Sequence, residues 1–177
     1  MKSQKNPNKT IYITLSVLLI AVVLLAYLNG GDAVLRRALE QNRKFQIRMD
    51  GTQVATVSLQ DLLDLDPQEF TTTYATSISA PREAKVKGVE LRVLLASLNI
   101  ETSNAVLIIV SGLDSYNSPL TREEVERAET VYICYSMDGE ILKTQAEGGF
   151  GPFLMIIRDS GFAQRWCKYV EAVDIRS

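Results

Sequence analysis

Ile11 to Leu28 form a run of 18 residues without a charge, IYITLSVLLIAVVLLAYL. As a helix rising 1.5 Å per residue the run spans roughly 27 Å, close to the hydrocarbon thickness of a bilayer. Tyr12 and Tyr27 stand near its ends, where amphipathic rings prefer the interface, and Lys2, Lys5 and Lys9 favour a cytoplasmic N-terminus. Arg36, Arg37, Arg43 and Lys44 follow soon after and make that asymmetry smaller. The run is long for a signal peptide, and Ala26-Tyr27-Leu28 is bulky where a cleavage site wants small residues. The expectation is a cytoplasmic N-terminus over 1–10, an uncleaved transmembrane anchor over 11–28 in the cell membrane as a single pass, and an extracytoplasmic C-terminal domain.

Beyond the run, Gly30-Gly31 breaks the helix, and Leu35, Ala38 and Leu39 recur at helical spacing, so residues 29–44 are expected as a linker or stalk. Over 45–177 the apolar pattern alternates between periods. Phe45, Ile47 and Met49 alternate, Asp50-Gly51 signals a two-residue turn, and Val54 and Val57 continue the other side of a hairpin. Ser58 with Asp61 predicts a capped short helix ending at Asp66-Pro67. Residues 70–78 are β-branched and aromatic, hence a strand, while 79–88 (SAPREAKVKG) predict a loop. Leucines at 91, 94, 95 and 98 predict an amphipathic helix over 89–98, and Ala105 to Val110 is an apolar run expected as a doubly buried central strand.

The remainder continues in short pieces. Asn117-Ser118-Pro119 predicts a turn, and Thr121 with Glu124 caps a charged helix to about Glu129, whose Glu123, Glu124, Glu126 and Glu129 suit a solvated face. Strands are expected over 131–136, 141–143, 153–157 and 167–175, with Asp138-Gly139 turning the first pair into a hairpin. Many strands and few short helices, in no regular alternation, predict an α+β fold with a mixed sheet, preceded by the one transmembrane helix.

Composition then removes whole classes of chemistry. There is no histidine, which excludes an imidazole base and the His-containing zinc sites. Two cysteines, Cys134 and Cys167, supply at most one disulfide or a lone thiolate. Lys2, Lys5 and Lys9 are the only charges of residues 1–29, so residues 30–177 hold 16 of the 19 basic residues and all 21 acidic ones. A net-acidic domain argues against a nucleic-acid partner, which needs a basic face. No nucleophile-elbow motif or carboxylate pair supports a hydrolase.

The densest candidate chemistry lies in the last third. Gly148, Gly149 and Gly151 permit close approach of backbone to a ligand and offer amides to an anion. Arg165 and Lys168 add cationic character, and Trp166 or Tyr169 stacks on a flat heterocycle or packs the core. Asp114 and Tyr116 follow the strand 105–110 in a segment that also reads as ordinary turn chemistry.

KGVELRVLLASLNI, SGLDSYNSPLTREEV, YSMDGEIL, GGFGPFLMIIRD and GFAQRWCKYVEAVDI, in this order, resemble the oxidoreductase molybdopterin-binding domain, the sulfite-oxidase-type fold, over roughly 51–176. The chain is most similar to small, single-domain, membrane-anchored or secreted members. The resemblance implies a molybdopterin cofactor held by Gly148, Gly149, Gly151, Arg165, Lys168, Asp114 and Tyr116, and a redox partner protein. It also implies a metal-ligating cysteine around strand 70–78, where this chain reads Thr73-Tyr74-Ala75-Thr76-Ser77, and an arginine where it has Leu154. Cys167, inside a matching block, is then the metal-ligand candidate, and no catalytic residue is assigned. Two functions are expected: a membrane-anchored redox protein binding the cofactor, or a non-catalytic module that has lost the metal and recognises a small anionic ligand or a partner protein.

Overall fold

The computed structural model describes residues 11–24, 42–76, 79–158 and 163–177. The chain divides into two units after Arg37. In the first, residues 11–24 form helix α1, with every described side chain exposed, including Leu18, Leu19 and Leu24. Among the described residues no helix is long and apolar enough to cross a membrane. Residues 25–28 of the expected span, the N-terminus 1–10 and all but the last three residues of the expected linker lie outside the described residues.

The second unit opens with the hairpin β1 (Lys44–Met49) and β2 (Thr52–Ser58), turned by Asp50 and Gly51 at φ +48° and +78°. Positive φ at both central residues is the primed turn that matches strand twist. Ser58 then caps α2 (Leu59–Leu63): its Oγ accepts the Asp61 N–H, and Asp61 accepts the Ser58 N–H at 2.7 Å. There follow β3 (Gln68–Thr76), β4 (Ser79–Glu90), α3 (Leu91–Ser97), β5 (Leu107–Gly112), β6 (Asn117–Leu120) and α4 (Arg122–Glu126). The chain ends with β7 (Val131–Met137), β8 (Glu140–Ile141), β9 (Leu154–Ile157), a 3-10 turn (Ala163–Arg165) and β10 (Val170–Arg176).

The strands form two sheets. One runs β2-β1-β10-β5-β6, with β1 and β10 parallel and the other pairs antiparallel; the other runs β3-β4-β7-β8, with β9 also on β7. Alternation along β7 organises the interior. Val131, Ile133 and Tyr135 join the main core with Ile47, Val173 and Ile175 of the first sheet and the α3 leucines. Tyr132 and Cys134 enter a second core with Phe70, Val86, Leu154 and Ile156, closed by Trp166, Leu142 and Phe150. The second sheet is thus buried on both faces, one against the first sheet and one under the loops that carry the glycines.

Several expectations change here. Residues 79–88 belong to the longest strand, not a loop: Ala84 and Val86 are buried while Glu83 and Lys85 are exposed, an alternation masked by the charges around it. The turn expected at Asn117-Ser118-Pro119 is β6, and Pro119 is tolerated because β6 is an edge strand. β5 is not central; its residues alternate between buried and half-buried, and β10, buried from Val170 to Ile175, holds the middle of its sheet. Residues 167–169 precede β10 as a loop, so the strand expected over 167–175 begins only at Val170 and Lys168 lies outside it.

The cysteines are free and fully buried. Cys134 pairs with Leu154 and Cys167 with Met155, neighbours on β9 whose side chains enter different cores. Opposite faces of one sheet keep the two thiols from bridging.

Candidate functional site

Three segments converge at the start of β10: the β5–β6 connection, the glycine loop 148–151, and residues 163–169. The Leu113 N–H donates to the Tyr169 carbonyl at 3.0 Å, and the Tyr169 N–H donates to the Phe150 carbonyl at 3.0 Å. Lys168 Nζ lies 4.4 Å from the centre of the Phe150 ring, so the lysine and the glycine loop are brought together by a cation–π contact. Tyr116 Oη donates to the Gln164 carbonyl at 2.7 Å.

Gly149 and Phe150 line a cleft of about 310 Å³ with Arg82 and Lys143, but the near neighbours of the glycines are the chain itself. A Cβ at Gly149 would collide with the backbone and Cβ of Lys143, and one at Gly151 would come within 2.6 Å of Leu142 Cβ and 2.9 Å of the Leu142 and Lys143 carbonyl oxygens. Only at Gly148, φ +77°, is the space open. Two of the three glycines are therefore required by the return of the loop onto residues 142–143. Asp114 Oδ1 accepts the Tyr116 N–H at 3.1 Å, the turn reading of that segment. Trp166 is buried in the second core.

The Arg165 side chain makes its hydrogen bonds elsewhere. Its guanidinium grips Glu124 through both carboxylate oxygens at 2.6 and 3.0 Å and donates to the Pro119 carbonyl at 2.9 Å. The pair holds the Glu124 carboxyl below its ordinary range. Glu124 was expected on a solvated face; it instead completes the α4 capping box and anchors Arg165. Asp114, Lys168, Cys167 and the glycine loop are gathered, and Arg165 is not.

Cys167 Sγ contacts the Lys168 carbonyl at 3.6 Å. Burial, and then the nearby Asp114 carboxylate, push its thiol up to about 12. Burial pushes Cys134 up as well. Both are protonated at neutral pH, and it is the thiolate that ligates metals.

Sequence reasoning missed a second place. A cleft of about 370 Å³ opens between the α4–β7 connection, the end of β9 and the 3-10 turn, lined by Arg127, Arg158, Arg165, Glu124, Glu129 and Thr130. Arg158 donates to Glu129 at 3.1 Å and lies 5.3 Å from the centre of the Phe70 ring. Behind the cleft the buried Glu90 accepts from Arg92 at 2.6 Å and from the Glu129 N–H at 2.9 Å. Burial raises Glu90, but the Arg92 and Glu129 hydrogen bonds outweigh it and hold the carboxyl below its ordinary range. No motif marks these residues; they come from separate segments and meet only through the strand pairing.

The family model for the oxidoreductase molybdopterin-binding domain matches residues 35–177. The chain belongs to that family. Among solved structures it is similar to the sulfane dehydrogenase SoxCD from Paracoccus pantotrophus, with a TM-score of 0.61 at 18% identity over 77% of this chain. The match spans 39% of that protein's chain, and at this identity the likeness shows the fold. No curated protein is similar enough in sequence to count as a relative.

The cofactor that the family implies must meet this chain's donors. A cysteine-held metal does not fit: neither thiol reaches solvent, both are protonated, and Thr73 on β3 carries a hydroxyl. Among the described residues no three His, Cys, Asp or Glu side chains converge as a metal site would need.

Proposed function

We propose that this chain is a non-catalytic binding domain, carried on the extracytoplasmic side of the cell membrane by its N-terminal apolar segment, in which the molybdopterin-binding fold recognises a small anionic ligand without a thiolate-held metal. One observation carries the reading. The chain's two thiols are sealed in two hydrophobic cores with their pKa values pushed far above neutrality, Cys167 to about 12. Deprotonating either to bind a metal would place a charge in an apolar interior. The anchor is supported by α1, uncharged over 11–24 and apolar apart from Tyr12, Thr14 and Ser16, which in water would leave a large apolar surface exposed.

A second reading, a redox protein that binds the molybdopterin cofactor and passes electrons to a partner protein, is favoured by the family match over 35–177. Metal and pterin analysis decides between them. The full chain, purified in detergent from a host that makes and exports the cofactor, is expected to carry no stoichiometric molybdenum or tungsten. A metal-to-protein ratio near one would overturn the non-catalytic reading and establish the second.

A further inference from the structure

The cleft behind Arg165 has features that the glycine loop lacks. Three arginines line it from three separate segments, Arg127 after α4, Arg158 after β9 and Arg165 on the 3-10 turn. Two carboxylates, Glu124 and Glu129, share it, so the lining carries one excess positive charge on a domain that is acidic as a whole. Among the described residues the Arg127 guanidinium has no hydrogen-bonded partner.

The two glutamates are held differently. Glu124 is bidentate on Arg165, with its side chain 23% exposed, and its own N–H is tied into the α4 cap. Glu129 makes a single contact to Arg158 and its side chain is 67% exposed. An exposed ion pair of that kind contributes about 0–1 kcal/mol, so an incoming anion displaces it cheaply. With Glu129 turned into solvent, Arg127 and Arg158 present two uncompensated charges, matched to a dianion. Forked guanidinium donors suit oxyanions, which accept several hydrogen bonds at once.

The backbone of this cleft is constrained. Glu129 has φ +58°, a left-handed conformation uncommon outside glycine. It is fixed by the buried Glu90, which accepts the Glu129 N–H, and by the Arg158 N–H, which donates to the Thr130 carbonyl at 2.8 Å. A segment locked this way holds Arg127 and Glu129 in register with Arg158 whether or not a ligand is bound.

We infer that this cleft is a binding site for a free tetrahedral oxyanion of two negative charges, of the phosphate or sulfate class, held by Arg127 and Arg158, with Glu129 as the displaceable carboxylate that competes with it. The inference rests on the anionic-ligand reading above and gives it a place distinct from the glycine loop. Inorganic phosphate and sulfate titrated calorimetrically into the full chain in detergent, against sodium chloride of equal ionic strength, test it.

Saturable binding is expected, weakened about tenfold or more by Arg127→Ser and by Arg158→Gln, the loss of a charge-assisted contact. Glu129→Gln is expected to tighten it about threefold, because a competing carboxylate is gone. A merely structural role for these residues would not strengthen binding. Arg127 is exposed, so its variant keeps the fold, which unchanged melting checks. Binding that ignores these three substitutions but is lost in Lys143→Ser or Lys168→Gln would overturn the location and leave anion recognition standing. A response to phosphate no greater than to chloride would overturn both.

Discussion

The glycine loop and the arginine cleft are built from the same C-terminal third, and they differ in what their polar groups face. At the loop, Gly149 and Gly151 abut residues 142–143, Lys168 rests on Phe150, and Asp114 closes its own turn beside a protonated thiol. At the cleft, Arg127 and one edge of the Arg158–Glu129 pair face solvent, backed by a buried carboxylate. Glycines and cations close in sequence are therefore poor guides to a ligand site by themselves. What separates the two regions is whether the chain already supplies the partner.

Substitution at the glycines gives the largest effect and tests the closed character of the loop. Gly149→Ala places a Cβ against the Lys143 backbone and is expected to destabilise the domain by about 3 kcal/mol in urea unfolding. Gly148→Ala meets open space and loses only the left-handed conformation, about 1 kcal/mol. Equal costs at the two positions would mean that the loop stands free of residues 142–143 in solution, as an open ligand cradle would.

The cleft is probed from behind by Glu90→Gln. Glu90 is 4% exposed at its side chain and serves both Arg92 and the Glu129 N–H, so removing its charge is expected to cost about 2 kcal/mol. Amide exchange at Glu129 should quicken in the variant, since that N–H loses a charged acceptor. Unchanged exchange there would show that the strained residue is fixed by the Thr130–Arg158 backbone contact alone.

What the sequence revealed follows a physical line. The Asp50-Gly51 and Asp138-Gly139 hairpins, both capping boxes and the α3 leucine stripe were all legible, because each is decided by residues a few positions apart. β4 was not, since Arg82, Glu83, Lys85 and Lys87 hide a two-residue buried pattern. Nor was the central place of β10, which depends on its parallel pairing with β1 far away in the chain. The family blocks identified the fold, and Arg165, read as a cofactor contact, is paired with Glu124, a partner that no local signal announced. The cleft was illegible for the same reason as β10: its arginines share no local signal and meet through tertiary pairing.

The smallest effect concerns the seam between the two regions, the Arg165–Glu124 pair. Arg165→Ala is expected to cost about 1 kcal/mol at neutral pH, the low figure reflecting a guanidinium that is 41% exposed and screened by solvent. Its pH dependence identifies the partner. Glu124 is depressed in the folded state from an ordinary value of 4.5, first by the Arg165 hydrogen bond. The folded state thus binds that proton less readily than the unfolded chain, and the pair's stabilisation is complete above pH 4.5 and fades as pH falls through the folded pKa. Urea unfolding of both proteins should therefore show a constant difference from pH 7 to about pH 5 that narrows at more acid pH. A difference that persists undiminished through that range would assign Arg165's contribution to its bond with the Pro119 carbonyl, which does not titrate, and would detach the cleft's third arginine from Glu124.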